Sequence, residues 1–325
     1  AREQVAGLFG VRPRQVVFTS GGTEAVNAAS YGACRNRPEG VVLCAGVEHS
    51  SVRQSSARLA PVVEVEVDGV GRIHPAAVAE AAAADGRPVA VVHCQLANHE
   101  VGTLQPVAGV TEEARALGAL VHVDACAAAG DVDIDAGALD ADLLSVTAHK
   151  LGGPQGVGAL ILRRGLRLEP FVVGGDQERG RRAGTEPVAA IVGFGAAAEA
   201  LAGGALASEA SVARRLTDRV LHGRPPGTVV YGDPDGRVPH IVCLGVAGVE
   251  AEAVVLGLDR AGVAVHSGSA CSSEALEPSP VLAAMGVDAE RSLRVSVGWP
   301  SGDADVDALL DALPRVVEGL RALRT

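Results

Sequence analysis

The chain has 325 residues, of which 48% are hydrophobic and only 2% aromatic, so a substantial core must be built from Val, Leu, Ile and Ala. Its formal net charge of -11 at pH 7 argues against an anionic partner such as nucleic acid or an acidic membrane surface. The sequence has no run of 18 or more apolar residues, so a membrane span is not expected.

The first half of the chain alternates short β-branched runs with Ala-rich stretches. Strands are predicted at Gln15–Thr19, Val41–Ala45, Val62–Val67, Val89–Gln95, Leu120–Asp124, Leu143–Thr147 and Gly158–Leu162. Helices are predicted at Thr23–Cys34, Ser51–Leu59, Pro75–Ala84 and Val107–Leu117. Apolar strands separated by helices are typical of a mostly parallel sheet covered on both faces. The carboxyl ends of such strands meet at one edge, where ligands bind.

The pattern changes after Gly165. Residues 170–187 are rich in Gly and Arg, and a long Ala-rich helix is predicted from about Val188 to Leu221, with Gly203-Gly204 as a candidate break. The later predicted elements are strands at Thr228–Tyr231, Ile241–Val246, Val263–Val265 and Leu293–Val297, and helices at Ala251–Ala261 and Val306–Leu323. We therefore expect a large domain of residues 1–190 and a smaller C-terminal α/β domain of residues 191–325, entered through the long helix.

The cysteines indicate a reduced, cytosolic setting. The six are Cys34, Cys44, Cys94, Cys126, Cys243 and Cys271. None forms a CxxC pair and the sequence shows no zinc-like spacing, so no metal site is expected. Four of them lie in or beside apolar strand-like runs, where small buried thiols are common. Disulfides are rare in reducing compartments, which suits this usage.

Lys150 is the one lysine of the chain, and the other members of the 28 Lys and Arg residues are arginines. An amine can lose its proton and condense with an aldehyde, whereas a guanidinium stays protonated. Codon bias accounts for few lysines. It does not account for the position of this one, beside His149 in a Gly-rich turn just after an apolar strand.

Two further segments carry candidate ligand groups. The stretch Thr19–Glu24 reads TSGGTE between a strand and a helix, and it can cradle a phosphate with backbone N–H groups, or it can be only a tight turn. Asp124 ends an apolar strand, where a carboxylate is costly to bury without a partner. A protonated pyridine nitrogen would be such a partner, and capping of a helix is the alternative.

Three more residues have candidate roles. His49 follows a strand and could stack on a flat ring, although a lone loop histidine is more often solvated or capping. Cys271 lies in a run of small residues, HSGSACSS, where a thiol is accessible enough to act as a nucleophile. Arg294 sits inside an apolar strand, where either a bidentate carboxylate ligand or a structural ion pair would explain it.

Five motifs, taken in their order along the chain, resemble one protein family. FTSGGTEAVN, AHKLGGPQGVGAL, GGDQERGRRAGT, HSGSACSSEALEPS and SLRVSVG are similar to segments of the cysteine desulfurases, the NifS/IscS-like members of the class V aminotransferases. The resemblance runs from about Val16 to Pro300. It implies the pyridoxal-phosphate-dependent transferase fold of type I, with a mostly parallel seven-stranded sheet in the large domain, and a homodimer.

The resemblance also implies roles for individual residues. Lys150 would hold pyridoxal 5'-phosphate and remove the Cα proton of the substrate. The other implied cofactor contacts are Asp124 at the pyridine nitrogen, His49 on the ring, His99 at the phenolic oxygen, Gly22, Thr23, Thr147 and His149 at the phosphate, and Thr185 at the phosphate of the neighbouring subunit. Arg294 and Asn98 would bind L-cysteine, and Cys271 would take its sulfur as a persulfide for an acceptor protein. Acceptors in iron–sulfur cluster assembly, tRNA thiolation, DNA modification and natural-product thiolation all fit.

Three features depart from the family pattern. The chain starts beyond the usual LDNAATTP-like opening segment, so we expect the large domain to lack that part. Ala127 stands where the family has Gln, and His99 replaces the second Asn of Asn-Asn-Glu. Both replaced groups usually touch the phenolic oxygen of the cofactor, so reaction specificity could differ. A selenocysteine or C–S lyase, and a non-catalytic scaffold, are the alternative hypotheses.

Overall fold

The computed structural model describes residues 1–267 and 278–323, which fall into two compact units. The first unit comprises Ala1–Glu66, Ile73–Ala97 and Gln105–Ala207. The second comprises Val67–Arg72, Asn98–Leu104 and Ser208–Thr325. The second unit therefore starts later than residue 191, because the helical stretch that begins at Val188 continues past that point, and it also takes up two short segments from the first half of the chain.

The first unit is built on a seven-stranded sheet, as expected. Its strands are β1 (Val16–Thr19), β2 (Val41–Ala45), β3 (Val62–Val65), β4 (Val89–Gln95), β5 (Leu120–Asp124), β6 (Leu143–Thr147) and β7 (Gly158–Leu162). Their order is β1-β7-β6-β5-β4-β2-β3. Six of these strands run in one direction, and β7 runs antiparallel to them. Strands β2, β4, β6 and β7 are buried along their whole length, which explains why they read as continuous apolar runs.

Helices cover this sheet. They are α1 (Arg2–Leu8), α2 (Gly22–Asn36), α3 (Ser50–Leu59), α4 (Pro75–Asp85), α5 (Val107–Ala116), the single turn α6 (Gln177–Gly180) and α7 (Val188–Ala200), with 3₁₀ turns at Pro13–Gln15 and Ala148–Leu151. Helix α1 was not predicted. It has only seven residues and buries only Val5 and Ala6 within them, so it offers no helical periodicity long enough to read.

The second unit contains an antiparallel four-stranded sheet. Its elements are α8 (Leu206–Gly223), β8 (Thr228–Tyr231), β9 (Ile241–Val246), α9 (Ala251–Arg260), β10 (His266–Ser267), α10 (Pro280–Ala284), a 3₁₀ turn at Ala289–Arg291, β11 (Ser292–Ser296) and α11 (Asp303–Ala322). The strand order is β10-β11-β9-β8. The predicted strand Val263–Val265 is wrong. Val263 and Val265 are apolar because they pack on the core of this unit, and strand pairing begins only at His266.

The long helical stretch is interrupted where the sequence predicted. A π-helical turn, Leu201–Ala205, separates α7 from α8, and Gly204 within it has a φ of 106°, which glycine adopts readily. Taken together, Val188–Gly223 is long and apolar enough to cross a membrane by length and composition, although no membrane span was expected. This is weak evidence, since core helices of soluble proteins meet the same criterion.

Candidate active site

The candidate cofactor residues of the first unit lie where strands end. Strands β1 and β6 both run antiparallel to β7, and β5 runs parallel to β6, so the three point the same way. Their carboxyl ends therefore share one edge of the sheet, where open α/β sheets bind ligands. Thr147 ends β6, Asp124 ends β5, and Gly22 opens the helix that follows β1.

The turn before α2 forms a narrow cradle. A Cβ atom at Gly22 would lie 2.6 Å from Sγ of Cys126 and 3.5 Å from Cβ of Thr147, so a side chain at residue 22 would force the thiol of Cys126 to move. No side chain of the described residues caps this helix, which leaves N–H groups of its first turn available to an anion. Thr23 is exposed in that turn, and Thr147 Oγ1 lies 3.0 Å from Nδ1 of His149. The structure thus brings Gly22, Thr147 and His149 to one small, polar place.

Asp124 is a buried carboxylate, with 8% of its surface exposed. Its Oδ1 accepts a hydrogen bond from the backbone N–H of Cys126 at 2.9 Å, as an Asp that caps a turn does. Within residues 1–267 and 278–323 it forms no ion pair, unlike the buried Asp142, which pairs with Arg163. A buried carboxylate that forms no ion pair within the described part of the chain suits a protonated ring nitrogen of a bound molecule.

Lys150 lies in the 3₁₀ turn Ala148–Leu151, directly after β6, and its side chain is exposed. Gly152 ends the turn with a φ of 84°. Burial lowers the pKa of His149, and the charge of Lys150 lowers it further, so His149 stays neutral near pH 7. Burial raises the pKa of the Cys126 thiol well above its usual value and Asp124 adds to this, while Lys150 opposes it. The amine, the acid and the thiol are therefore electrostatic neighbours.

His49 caps helix α3. Its Nδ1 accepts a hydrogen bond from the Ser51 backbone N–H at 3.1 Å, and Ser51 Oγ lies 2.8 Å from the same nitrogen. Because Nδ1 acts as an acceptor, a ring proton resides on Nε2. The capping alternative from the sequence is therefore realised.

Two acidic residues that were not predicted to have a role bind the Gly- and Arg-rich segment of residues 170–187. Glu178 is 6% exposed, and it accepts from Arg2 at both carboxylate oxygens and from the Phe18 N–H at 3.2 Å. Glu178 and Arg179 have φ of 48° and 62°, an unfavourable conformation for residues with side chains. Such strain persists only where surrounding contacts over-determine it. Thr185 lies exposed beyond this anchor.

The second acid is Glu24, in the first turn of α2. Its two carboxylate oxygens accept from Arg182 at 2.8 and 3.0 Å, and one also accepts from the Ser20 N–H at 2.8 Å. Burial alone would raise the pKa of Glu24, but these hydrogen bonds outweigh it and hold the pKa below its usual value. The ion pair fastens the segment that carries Thr185 to the start of the helix that opens at Gly22.

In the second unit, Arg294 lies on β11. Its NH1 donates to the backbone oxygen of His99 at 3.1 Å. Its Nε is buried and has no hydrogen-bond partner among the described residues. Asn98 is fully buried, and its Oδ1 accepts from the N–H groups of Glu100 at 2.8 Å and Val101 at 2.9 Å, so it shapes the turn that presents His99. A guanidinium with an unsatisfied buried N–H suits a small carboxylate ligand.

Cys271 lies outside the described residues, but the chain on either side of residues 268–277 is described. Before them, His266 pairs with Arg294 in the register of β10 and β11. After them, Ser279 Oγ donates to Oε2 of the buried Glu100 at 2.5 Å and caps α10. The residues on either side of 268–277 therefore contact Arg294 on one side and Glu100, which follows His99, on the other.

The residues of the first unit fit pyridoxal 5'-phosphate. The cradle at Gly22 offers backbone N–H groups to a phosphate, and buried Asp124 is free of other cations in the described part of the chain. An exposed primary amine lies in the turn after the neighbouring strand. Cys126 also lies at this site, and it was not predicted there. The only signal in the sequence is its position two residues after Asp124.

The chain is similar to several known proteins. The family described as aminotransferase class-V matches residues 1–309. A cysteine desulfurase of Cereibacter sphaeroides is 42% identical over 336 residues, which cover 99% of this chain and 85% of that protein. A NifS-like protein of Rickettsia africae has a solved structure that superposes with a TM-score of 0.87 at 27% identity, covering 98% of this chain and 86% of that one. The structure described as SspA in complex with cysteine gives a TM-score of 0.79 at 27% identity over 91% of this chain and 85% of that one.

Proposed function

Since this chain belongs to the aminotransferase class-V family and is a cysteine desulfurase, we propose that Lys150 is its catalytic amine and that pyridoxal 5'-phosphate is its cofactor. The main support for the proposal is that Lys150, buried Asp124 and the Gly22 cradle lie close together in one unit. An amine, an acid without a cation of its own among the described residues, and a phosphate cradle are the three groups that this cofactor requires.

Each of these residues has a separate task. The cofactor supplies an electron-withdrawing ring that stabilises the negative charge left when the Cα proton of an amino acid is removed. Lys150 would take that proton. Asp124 would keep a proton on the ring nitrogen by its negative charge. Gly22, Thr23, Thr147 and His149 would hold the phosphate, and His49 would lie against the ring.

The substrate side of the proposal concerns the second unit. Arg294 binds the carboxylate of L-cysteine, in keeping with its unsatisfied buried Nε, and Asn98 supports the turn beside it. The Cys271 thiolate attacks Sγ of the substrate. The S–S bond of a persulfide forms, the C–S bond breaks, and its electron pair stays on carbon, which then takes a proton to give L-alanine. The sulfur is oxidised and the carbon is reduced, so no external oxidant is needed.

The absorbance spectrum tests the cofactor proposal. The purified protein should show a long-wavelength band that shifts when L-cysteine is added. Lys150→Ala should lose the band, whereas Arg163→Ala, a cation beside the same sheet whose partner is Asp142, should keep it. A band of unchanged position and intensity in Lys150→Ala would remove Lys150 from the proposed site.

Alanine release tests the role of Cys271. Cys271→Ala should lose at least about a hundredfold in rate, since removal of a catalytic nucleophile costs several kcal/mol. Cys34→Ala, a buried thiol on α2, serves as the matched control and should release alanine at the wild-type rate. Equal alanine release by wild type and Cys271→Ala would contradict a persulfide at Cys271.

The proposal extends to assembly. The chain acts as a cytoplasmic homodimer in which Thr185 reaches the phosphate held by the neighbouring subunit, and its persulfide passes to an acceptor protein. The exposure of Thr185, and of Val188 at 66% and Val192 at 58% just after it, supports a covered surface here. Thr185→Ala should weaken cofactor retention in the dimer. A monomer in analytical ultracentrifugation that retains the cofactor would contradict the shared site.

A further inference from the structure

A continuous hydrogen-bonded chain of side chains crosses the interior of the first unit. Ser55 Oγ lies 3.1 Å from Ser30 Oγ, which lies 3.4 Å from Nε2 of His93. Nδ1 of His93 lies 2.8 Å from Nδ1 of His122, and Nε2 of His122 lies 2.7 Å from Ser145 Oγ. All five residues are buried, and none exceeds 5% exposure. None of them has a role in the function proposed above.

The placement of these residues is what makes the chain notable. Ser30 lies on α2, which opens at Gly22, and Ser55 lies on α3, which His49 caps. His122 lies two residues before Asp124 on β5, and Ser145 lies two residues before Thr147 on β6. The chain thus connects the four elements whose ends carry the proposed contacts to phosphate, ring and ring nitrogen.

His93, on β4, joins the two halves of the chain. In the strand register it pairs with His122 of the neighbouring strand, and the two rings meet edge to face with centroids 4.9 Å apart. Buried polar groups in a fully satisfied network specify one arrangement of the elements around them, because any shift leaves a polar group unpaired. A register or tilt change between β4 and β5 would break the ring contact at once.

The proton positions follow from the contacts. Burial lowers the pKa of His93 to about 3 and the pKa of His122 well below its usual value, so both rings are neutral near pH 7. Ser30 Oγ–H donates to the Val26 backbone oxygen at 3.0 Å, so Ser30 Oγ accepts from Nε2–H of His93 and from Ser55 Oγ–H, which shares its proton with the Val52 backbone oxygen at 3.2 Å. Nδ1 of His93 is then the acceptor, Nδ1–H of His122 is the donor, and Nε2 of His122 accepts from Ser145 Oγ–H.

We propose that His93 and His122 are positioning residues, and that the chain Ser55–Ser30–His93–His122–Ser145 holds the Gly22, His49, Asp124 and Thr147 ends in the geometry that binds the cofactor. The inference rests on the proposed function of these four ends. It assigns no contact with the cofactor to either histidine. It does assign opposite tautomers to two adjacent buried rings.

The first test is cofactor release from the holoenzyme. His93→Phe keeps a ring of similar size and cuts the chain in its middle, and Ser145→Ala removes only one hydroxyl at its end. Val91→Ala is the control, since Val91 is fully buried on the same strand but makes no polar contact through its side chain. The dissociation constant of pyridoxal 5'-phosphate should rise about tenfold in each of the first two variants, which corresponds to one hydrogen bond of about 1.4 kcal/mol.

The second test reads the protons directly. In ¹⁵N NMR of histidine-labelled wild type, His93 should carry its proton on Nε2 and His122 on Nδ1. Equal cofactor affinity in His93→Phe, Ser145→Ala and Val91→Ala, or the same tautomer on both rings, overturns the positioning role. If His93→Phe does not fold, Ser145→Ala alone decides by affinity. Wild type that binds no cofactor through Lys150 would instead overturn the proposed function, and this inference with it.

Discussion

Replacing Gly22 with alanine is the sharpest test of the phosphate cradle. The added Cβ would lie 2.6 Å from Cys126 Sγ, about 1 Å inside an ordinary contact of roughly 3.5–4.0 Å. Overpacking of this kind costs about 1–3 kcal/mol. Cys126→Ala removes the sulfur and leaves Cβ of residue 126 at 3.7 Å, an ordinary contact. The clash should therefore vanish in the double variant.

Urea unfolding of wild type, both single variants and the double variant measures this as a thermodynamic cycle. We expect Gly22→Ala to lower the free energy of unfolding by about 1–3 kcal/mol alone and by less than about 0.5 kcal/mol in the Cys126→Ala background. The affinity for pyridoxal 5'-phosphate should fall and recover in parallel. If Gly22→Ala costs the same in both backgrounds, the sulfur is not what excludes a side chain at residue 22.

Three further predictions concern other parts of the molecule. Because His93 has a pKa of about 3 when folded and 6.5 as a free imidazole, the unfolded chain binds a proton that the folded chain does not, so stability should fall by about 1.4 kcal/mol per pH unit as the pH drops from 6 to 4. Burial also lowers the pKa of His122, which adds a slope of its own, so His93→Phe should remove only the part of the slope that His93 contributes. An unchanged slope would refute the shifted pKa of His93. Glu178→Gln should lower the free energy of unfolding by about 1.5–3 kcal/mol because it removes the buried charge that accepts from Arg2 and from the Phe18 N–H. Glu169→Gln, at an exposed pair, should leave the urea midpoint unchanged, and equal midpoints for both variants would contradict this. His99 is buried and replaces the second Asn of the Asn-Asn-Glu motif. His99→Asn should therefore change the ratio of the turnover rate on selenocysteine to the rate on cysteine. An unchanged ratio would show that His99 has no role in substrate selectivity.

Much of the architecture could be predicted from the chain alone. Most strands of the seven-stranded sheet were found because they are short apolar runs, and such runs indicate burial on both faces. Strand β3 is mostly exposed and was found from its β-branched valines. The break at Gly204 was found because glycine marks it. The prediction of a strand at Val263–Val265 was wrong because apolar residues that pack against a core look like a strand in the sequence, whether or not their backbone groups pair.

The candidate site, like the fold, could be predicted only in part. The positions of Lys150, Asp124 and Gly22 at or just after strand ends could be predicted because each follows or ends an apolar run, and the ends of neighbouring strands share one edge of the sheet. The contact of His93 with His122 could not be predicted, and neither could the grip of Glu178 on Arg2. The first depends on β5 lying between β4 and β6, and the second joins residues at opposite ends of the first unit's sequence. A sequence displays which groups are present and how often apolar residues recur, but only the order of strands in space decides which distant side chains come within hydrogen-bond reach.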